Sequence, residues 1–555
     1  MSKNKKNKSR SFIDRLPKKY ILLSFIIIGV IAYSSVLNGE FIFDDEILIL
    51  RNESIRSLGN IPKFFSDSIT SGAFIDSGNF YRPIQMIAYS VLYSLFRTDS
   101  FIFHLLPVVL HSFNAFFVFL LIKRLNVSSL AALVAALLFL LHPVQTQAVA
   151  YISGLADPLG LFFLLSSLLI FSGEKSLSPI KKNLQYALGL FLILLAFLTK
   201  ESFVVGGLLL AIYTFKDWKD KTHPEFRIRW LTILFSVILG GAYLLARATI
   251  LNFTKGFGLA TVETAYTQNI WLRVSTFISV IWDYFILLVF PKNLYYEKPL
   301  TIFSTIFSLR GLFGLATIVS LLTGTILGFT KKNYPIFVAC SWIIISMIPF
   351  SGIIPLNAYY LEHWLYLPFV GISILVAILL DKPIRNKSIQ VVCLIILILI
   401  AARTYVRAGE WGSALTFFNN EIQYNQNSAR IFNNLAMIQS EKGDYNSAIA
   451  NFKKAIELRD DYAETRHNLG NAYALNKEYE KAFYEFYRSL QINPNFIYSH
   501  AKMQRLFEIT PGQQQKAQLF KSFVNRIREG GTVTFDEIEK GLGSNINNQD
   551  SESSE

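Results

Sequence analysis

The chain has little cysteine and little charge. Its two cysteines, Cys340 and Cys393, both fall inside apolar blocks, so neither a disulfide framework nor a thiolate metal site can be built from them. Small buried hydrophobes are the ordinary reading of such positions. Charged residues make up 17% of the 555 positions, fewer than the surface of a soluble protein of this length needs, while 52% are hydrophobic. No phosphate-cradling Gly-rich loop, Walker lysine or Gly-x-Ser-x-Gly elbow occurs, which argues against nucleotide-driven transport. The formal net charge of +14 could suggest nucleic acid, but the lysines and arginines cluster beside hydrophobic blocks rather than along one amphipathic face. Membrane topology accounts for that charge, and no nucleic-acid partner is expected.

What the chain does hold is apolar residues gathered into blocks such as Ile21 to Val36 and Leu130 to Leu141, on the length scale of bilayer crossings. A basic tail over residues 1–19 runs into Tyr20 to Leu37 with no small-residue cleavage site after it, which predicts an uncleaved first span with a cytoplasmic tail. Basic loops recur after every second span, at Lys123-Arg124, Lys175 with Lys181-Lys182, Lys216 to Arg229, Lys331-Lys332 and Lys382 to Lys387. They mark the cytoplasmic side. The pattern predicts about eleven spans of the usual length, at 20–37, 101–122, 129–142, 157–173, 184–199, 201–216, 230–250, 308–330, 335–354, 363–380 and 388–404. Two further apolar stretches, Ile84 to Phe96 and Leu272 to Phe290, carry Tyr, Trp and Arg at their ends and are expected to lie at the interface or re-enter. An odd count places everything after Arg403 outside.

The segment 405–530 is polar and repeats itself. Gly409, Trp411, Ala414 and Phe418 return 34 residues later as Gly443, Tyr445, Ala448 and Phe452, and again as Lys477, Tyr479, Ala482 and Phe486. That period, with small and aromatic residues alternating, is the tetratricopeptide signature and predicts a short α-solenoid. Its groove is expected to take a protein partner, or else the array is a spacer. The Asn-, Ser- and Glu-rich stretch 541–555 is expected to be disordered.

The extracytoplasmic loop 38–100 opens with Gly39-Glu40-Phe41-Ile42-Phe43-Asp44-Asp45-Glu46, a pair of aspartates directly against a membrane end. For an arbitrary acid pair a helix cap would be the better reading. Here the opposite loops also supply Asn52, Arg82, His104, His111, His142, Asp157, Lys200, Glu201, Glu362 and His363. Ionisable groups at membrane depth are costly and usually functional, although structural ion pairs remain an alternative. His104 and His111 share a helix face, which would also suit a buried polar seam, and their spacing is not a metal-ligand pattern. No metal site is expected.

In order along the chain, Phe43-Asp44-Asp45, Tyr81-Arg82-Pro83, the His111 segment, His142-Pro143-Val144, Gly154-Leu155-Ala156-Asp157, Lys200-Glu201 and Glu362-His363-Trp364-Leu365-Tyr366-Leu367-Pro368, then the repeats, resemble the transmembrane and tetratricopeptide-repeat protein O-mannosyltransferases of the GT-C glycosyltransferases. The resemblance implies an all-α fold, a GT-C-like transmembrane domain over 20–404 with its catalytic loop at 38–100. It also implies a catalytic base from the acid pair and a sugar on a polyprenyl phosphate as donor substrate, with no cofactor. Two positions depart from the family pattern: Leu155 stands where Gly-Arg-Ala-Asp has arginine, and His363 where the Glu-Arg pair has arginine. Two cations of that pattern are therefore missing or replaced. The short repeat array and the Lys, Asn and Ile usage favour a bacterial inner-membrane version with its repeats in the periplasm.

The expected chemistry is a metal-independent inverting transfer in which an acceptor hydroxyl of a protein or glycan attacks the anomeric carbon. Asp44 is favoured as base and Asp45 as the orienting acid, with the roles open to reversal; a carboxylate suits an oxocarbenium-like transition state. Departing phosphate needs cations, and Arg82, Lys200 and His363 qualify by charge and side. A substrate-binding part falls to His104, His111, His142, Asp157, Glu201 and Glu362 as well. Two other classes stay open: a non-catalytic membrane scaffold whose repeats gather envelope proteins, and a ligase for lipid-linked glycans.

Overall fold

The computed structural model describes residues 12–73, 80–172, 179–215, 226–249, 265–296, 298, 301–356 and 358–543. Most of the expected basic tail, the loop at Lys175, most of the loop that starts at Lys216 and the stretch after residue 543 lie outside the described residues. Among those described, every regular element is helical. The chain divides into two units, Met1–Ser413 and Ala414–Glu555.

The first unit contains α1 (Lys18–Ala32), α2 (Pro83–Phe96), α3 (Ser100–Arg124), α4 (Ser129–Leu141), α5 (Ala156–Phe171), α6 (Pro179–Thr199), α7 (Gly206–Thr214), α8 (Phe226–Thr249), α9 (Ile270–Val289), α10 (Leu309–Thr330), α11 (Tyr334–Met347), α12 (Pro368–Leu380) and α13 (Lys387–Glu410). Local chemistry sets many of their ends. Asp99, Asn269, Ser308 and Asn386 cap α3, α9, α10 and α13 through their side-chain oxygens, which satisfies amides the helix itself cannot. Pro83 opens α2, where a missing N–H costs nothing.

Among the described residues, six helices are long and apolar enough to cross a membrane: Ser100–Arg124, Ile152–Phe171, Ile180–Thr199, Ile270–Val289, Leu309–Thr330 and Lys387–Glu410. A seventh is formed if α4 and Pro143–Val149, which meet at 46°, count as one bent span, and five shorter apolar helices accompany them. The protein is thus a multi-pass membrane protein. The expected first span is shorter than predicted, a 15-residue helix continued by turns to Leu37. The stretch at Leu272 to Phe290, expected to stay at the interface, is a 20-residue helix of crossing length. Its arginine is not an interface anchor: Arg273 turns inward and donates to the carbonyls of Thr267, Gly352 and Ile353. By contrast α2, at 14 residues, is shorter than the roughly 20 that a crossing takes.

At the centre of this unit α3 packs against α1, α4 and α5. The face of α4 turned inward carries Ala131, Ala132, Ala135 and Ala136, all fully buried, and small residues at that spacing let helices approach closely in lipid. The outer helices are different. On α10 and α13 large apolar side chains such as Leu312, Ile326, Leu394 and Leu399 stay exposed, the surface expected of a helix facing acyl chains.

The second unit comprises α14 (Ala414–Tyr424), α15 (Ala429–Glu441), α16 (Tyr445–Leu458), α17 (Ala463–Leu475), α18 (Tyr479–Ile492), α19 (Ile497–Ile509), α20 (Gln514–Arg528) and α21 (Phe535–Leu542). Successive helices pack against one another, and the residues that recur at the 34-residue period, Ala448, Phe452, Ala482 and Phe486, belong to its core. Gly443 and its repeat equivalent Lys477 both take left-handed backbone, at φ 82° and 67°, which explains why glycine suits that turn. The repeats had been expected to begin at residue 405. Residues up to 410 instead continue α13, and Trp411 belongs to the membrane unit.

Candidate active site

The acid pair follows α1 in a loop with its own small core. Leu48, Ile55, Phe64 and Ile69 pack with Met86 and Leu92 of α2, so short turns that would be unstable alone gain an apolar platform. Phe43, at φ 55°, turns the chain sharply just before the two carboxylates. A left-handed aromatic residue is strained and is held only by its surroundings. Its ring meets Tyr296 edge-on at 5.3 Å.

The two aspartates occupy different environments. Asp45 is fully buried and accepts from the backbone N–H of Ser153 at 2.8 Å, from the Ser153 hydroxyl and from the Ile42 N–H at 3.3 Å. Burial nonetheless pushes its carboxyl up to about 7, because the donors only partly offset lost hydration. Asp44 is half-buried, and its backbone N–H donates to the Tyr151 hydroxyl at 3.0 Å. Burial therefore sets the two adjacent carboxylates apart: Asp45 tends to hold a proton, while Asp44 stays partly open to its surroundings.

Helix α2 braces the clamp from behind. Gln85 donates to the Ser153 carbonyl at 3.0 Å and to the Tyr89 hydroxyl at 2.8 Å, while Tyr89 donates to the Ile152 carbonyl at 2.9 Å. His104 donates to the carbonyl of Ala150 at 3.0 Å. Segment 150–153, which holds Asp45, is thus fixed from two helices.

Four of the expected residues form a quartet. Arg82 meets Glu201 through two bonds of 3.2 Å, and Lys200 meets Asp157 at 2.7 and 2.8 Å. The two pairs lie in each other's field, and their charges cancel. The Lys200 and Arg82 charges also act on His363, whose backbone N–H donates to the Gln147 side chain at 2.9 Å.

Glu362 belongs to a different group. It takes Lys298 at 3.0 Å, faces Arg407 at 3.8 Å and accepts from the Tyr295 N–H at 2.8 Å. Arg407 also pairs with Glu410 at 2.6 Å, which holds Arg403 at 3.2 Å. This group borders the acid pair. The Arg407 guanidinium lies 5.5 Å over Trp411, which stacks on Tyr151 at 5.0 Å, and Tyr151 carries the Asp44 bond.

His111 and His142 sit elsewhere. The nitrogens of His111 meet the Tyr366 hydroxyl at 2.8 Å and the Leu140 carbonyl at 3.1 Å, a polar seam within the bundle that Asn114 joins at 3.2 Å. His142 donates to the Leu288 carbonyl at 3.1 Å and accepts from the Val144 N–H at 3.3 Å. Asn52 caps a short turn through the Ser54 N–H at 3.0 Å. Sequence reasoning passed over Ser153, Tyr151, Gln85, Lys298, Arg403 and Arg407. The arginines were visible as charges at the end of a span, but nothing local separates a buried arginine from one that reaches for the interface.

A TPR-repeat family profile matches residues 438–477. A protein O-mannosyl-transferase of Caenorhabditis elegans is 27% identical over 433 residues, covering 75% of this chain and 59% of that protein. Protein O-mannosyl-transferase TMTC3 of Mus musculus is 25% identical over 460 residues, covering 75% of this chain and 49% of that protein. The apo structure of ArnT from Cupriavidus metallidurans aligns at a TM-score of 0.40 with 13% identity, covering 89% of this chain and 81% of that one. Spanning between about half and three fifths of the length of these curated relatives, the chain has the protein O-mannosyl-transferases as its homologues.

Proposed function

We propose that this chain is a membrane glycosyltransferase that moves a sugar, mannose by likeness to its homologues, from a polyprenyl phosphate to a hydroxyl of a protein acceptor outside the cytoplasm. The observation that carries the reading is the divergence of Asp44 and Asp45. Asp45 is buried and clamped by Ser153, while its neighbour stays half-buried on a strained turn. Asp44 accepts the proton of the attacking hydroxyl. As the acceptor oxygen bonds to the anomeric carbon, the bond from that carbon to the phosphate oxygen breaks on the opposite face, and the lipid phosphate departs. Asp45 orients the loop through Ser153 rather than touching substrate.

The test is sugar transfer from a polyprenyl-phosphate donor by purified, folded variants. Asp44→Asn keeps size and removes the proton acceptor, so transfer should fall by about 10²- to 10⁴-fold; Asp45→Asn should cost less. Wild-type rates in both single variants and in the double variant would make the pair a structural cap and end this reading.

A further inference from the structure

The short helical turns at residues 143–149 hold amide groups that the fold itself does not use. Gln145 is fully buried, and among the described residues neither its amide nitrogen nor its amide oxygen has a partner. Gln147, equally withdrawn from water, is held at one end: its Oε1 accepts from the His363 N–H at 2.9 Å, while its Nε2 has no partner among the described residues. Such atoms are uncommon in folded proteins, because an amide taken out of water without a partner costs free energy. Their position is also telling. Residues 146–149 pack against the turn 152–155, whose Ser153 clamps Asp45, and the whole stretch packs against the Glu362–Leu365 turn.

The atoms without partners define the group that would match them. A hydroxyl donates and accepts through one oxygen and carries no charge, so it complements an amide that presents both an N–H and a carbonyl. A phosphate or a carboxylate only accepts and would leave the Gln145 oxygen unmatched. An ammonium only donates and would leave the amide nitrogens of both glutamines unmatched. A peptide bond offers both kinds of atom, but its chain must enter and leave again. Gln145 is wholly enclosed, which suits a terminal ring and not a chain running through.

We propose that Gln145 and Gln147 are specificity-determining residues that read hydroxyls of the transferred sugar, and that this sugar is a neutral hexose, neither a uronic acid nor an amino sugar. This rests on the proposed transferase reading. The two amides contribute nothing to the bond-making step; they decide which ring is accepted, and in the unliganded protein they are a cost to stability.

Binding to the purified full chain in nanodiscs tests it, with four citronellyl phosphate esters as probes: the mannosyl, glucuronosyl and glucosaminyl esters, and the methyl ester, which has no sugar. The wild type should bind the mannosyl ester about 10- to 100-fold more tightly than either charged sugar. Gln145→Met keeps the length of the side chain and removes the amide. It should weaken the mannosyl ester by about 10-fold, leave the methyl ester unchanged and raise the melting temperature of the unliganded protein, since a costly buried amide is gone. A lower melting temperature with mannosyl affinity unchanged would make Gln145 a structural part of the bundle and overturn the assignment, as would equal weakening of the mannosyl and methyl esters. Should Gln145→Met fail to fold, the wild-type preference decides alone: equal affinity for neutral and charged sugars overturns the assignment. Binding is separable from transfer. Asp44→Asn should keep the wild-type preference, so a failure of the base leaves this result standing, whereas a wild type that transfers mannose without preferring it in binding refutes the sugar reading alone.

Discussion

At Asp45 burial and hydrogen bonding pull against each other, and burial prevails, with the carboxyl near 7 in the folded chain against 3.8 for a free aspartate. Between those values the folded state holds a proton that the unfolded state has lost. Stability from this group is therefore full below about pH 4 and declines as pH rises through about 7, by at most roughly 4 kcal/mol. Thermal melts of detergent-solubilised protein from pH 5 to 8 should show that decline, and Asp45→Asn should flatten it even though the variant starts lower, because an asparagine amide faces the Ile42 donor. A wild-type melting temperature that climbs over this range would contradict the buried carboxyl. The acid pair itself was legible in the sequence because two adjacent aspartates at a membrane end stand out. Its asymmetry was not, since the clamp comes from Ser153, more than a hundred positions away.

The element that matters most at the next scale is the turn 150–154 between the bent end of α4 and α5. Gly154 lies so close to its predecessors that a Cβ there would fall 2.8 Å from the Gln147 carbonyl oxygen and 2.9 Å from that of Ala148. Neither neighbour is a flexible side chain that could yield. Gly154→Ala should therefore push Ser153 off Asp45, costing about 1–3 kcal/mol in stability and reducing transfer by more than its loss of folded protein explains. Equal losses in folded fraction and activity would show that the turn supports the bundle but not the carboxylate. The glycine was read in the sequence as part of a Gly-Leu-Ala-Asp run, with its leucine noted as the anomaly; the close backbone approach that demands glycine is a tertiary fact. Repeats were easier to read, because each unit buries the same small and aromatic positions locally, as Ala448 with Phe452 and Ala482 with Phe486 do. Charged groups at span ends were harder. Arg403 and Arg407 look alike in sequence, yet the second is wholly buried.

For the whole molecule the quantity that decides sidedness is parity. Eleven crossings put the repeats outside, whereas the crossing-length helix at Ile270–Val289 adds one and would reverse them unless another segment stops short. We expect the repeats outside, as the acid loop requires of a protein that presents acceptors to it. A cysteine at Ser447, partly exposed in the first turn of α16, should react with a membrane-impermeant thiol reagent in cells whose outer barrier has been opened. Labelling only after lysis would place the repeats in the cytoplasm. The same counting difficulty has its sharpest instance at His142. Residues 129–149 are apolar enough to read as one span, yet they bend by 46° at the point where the His142 imidazole accepts from the Val144 amide. What reads as the end of a span is therefore a shelf set at an angle to it, so one apolar stretch both runs into the bundle and supplies the Gln147 side chain that accepts from the His363 amide.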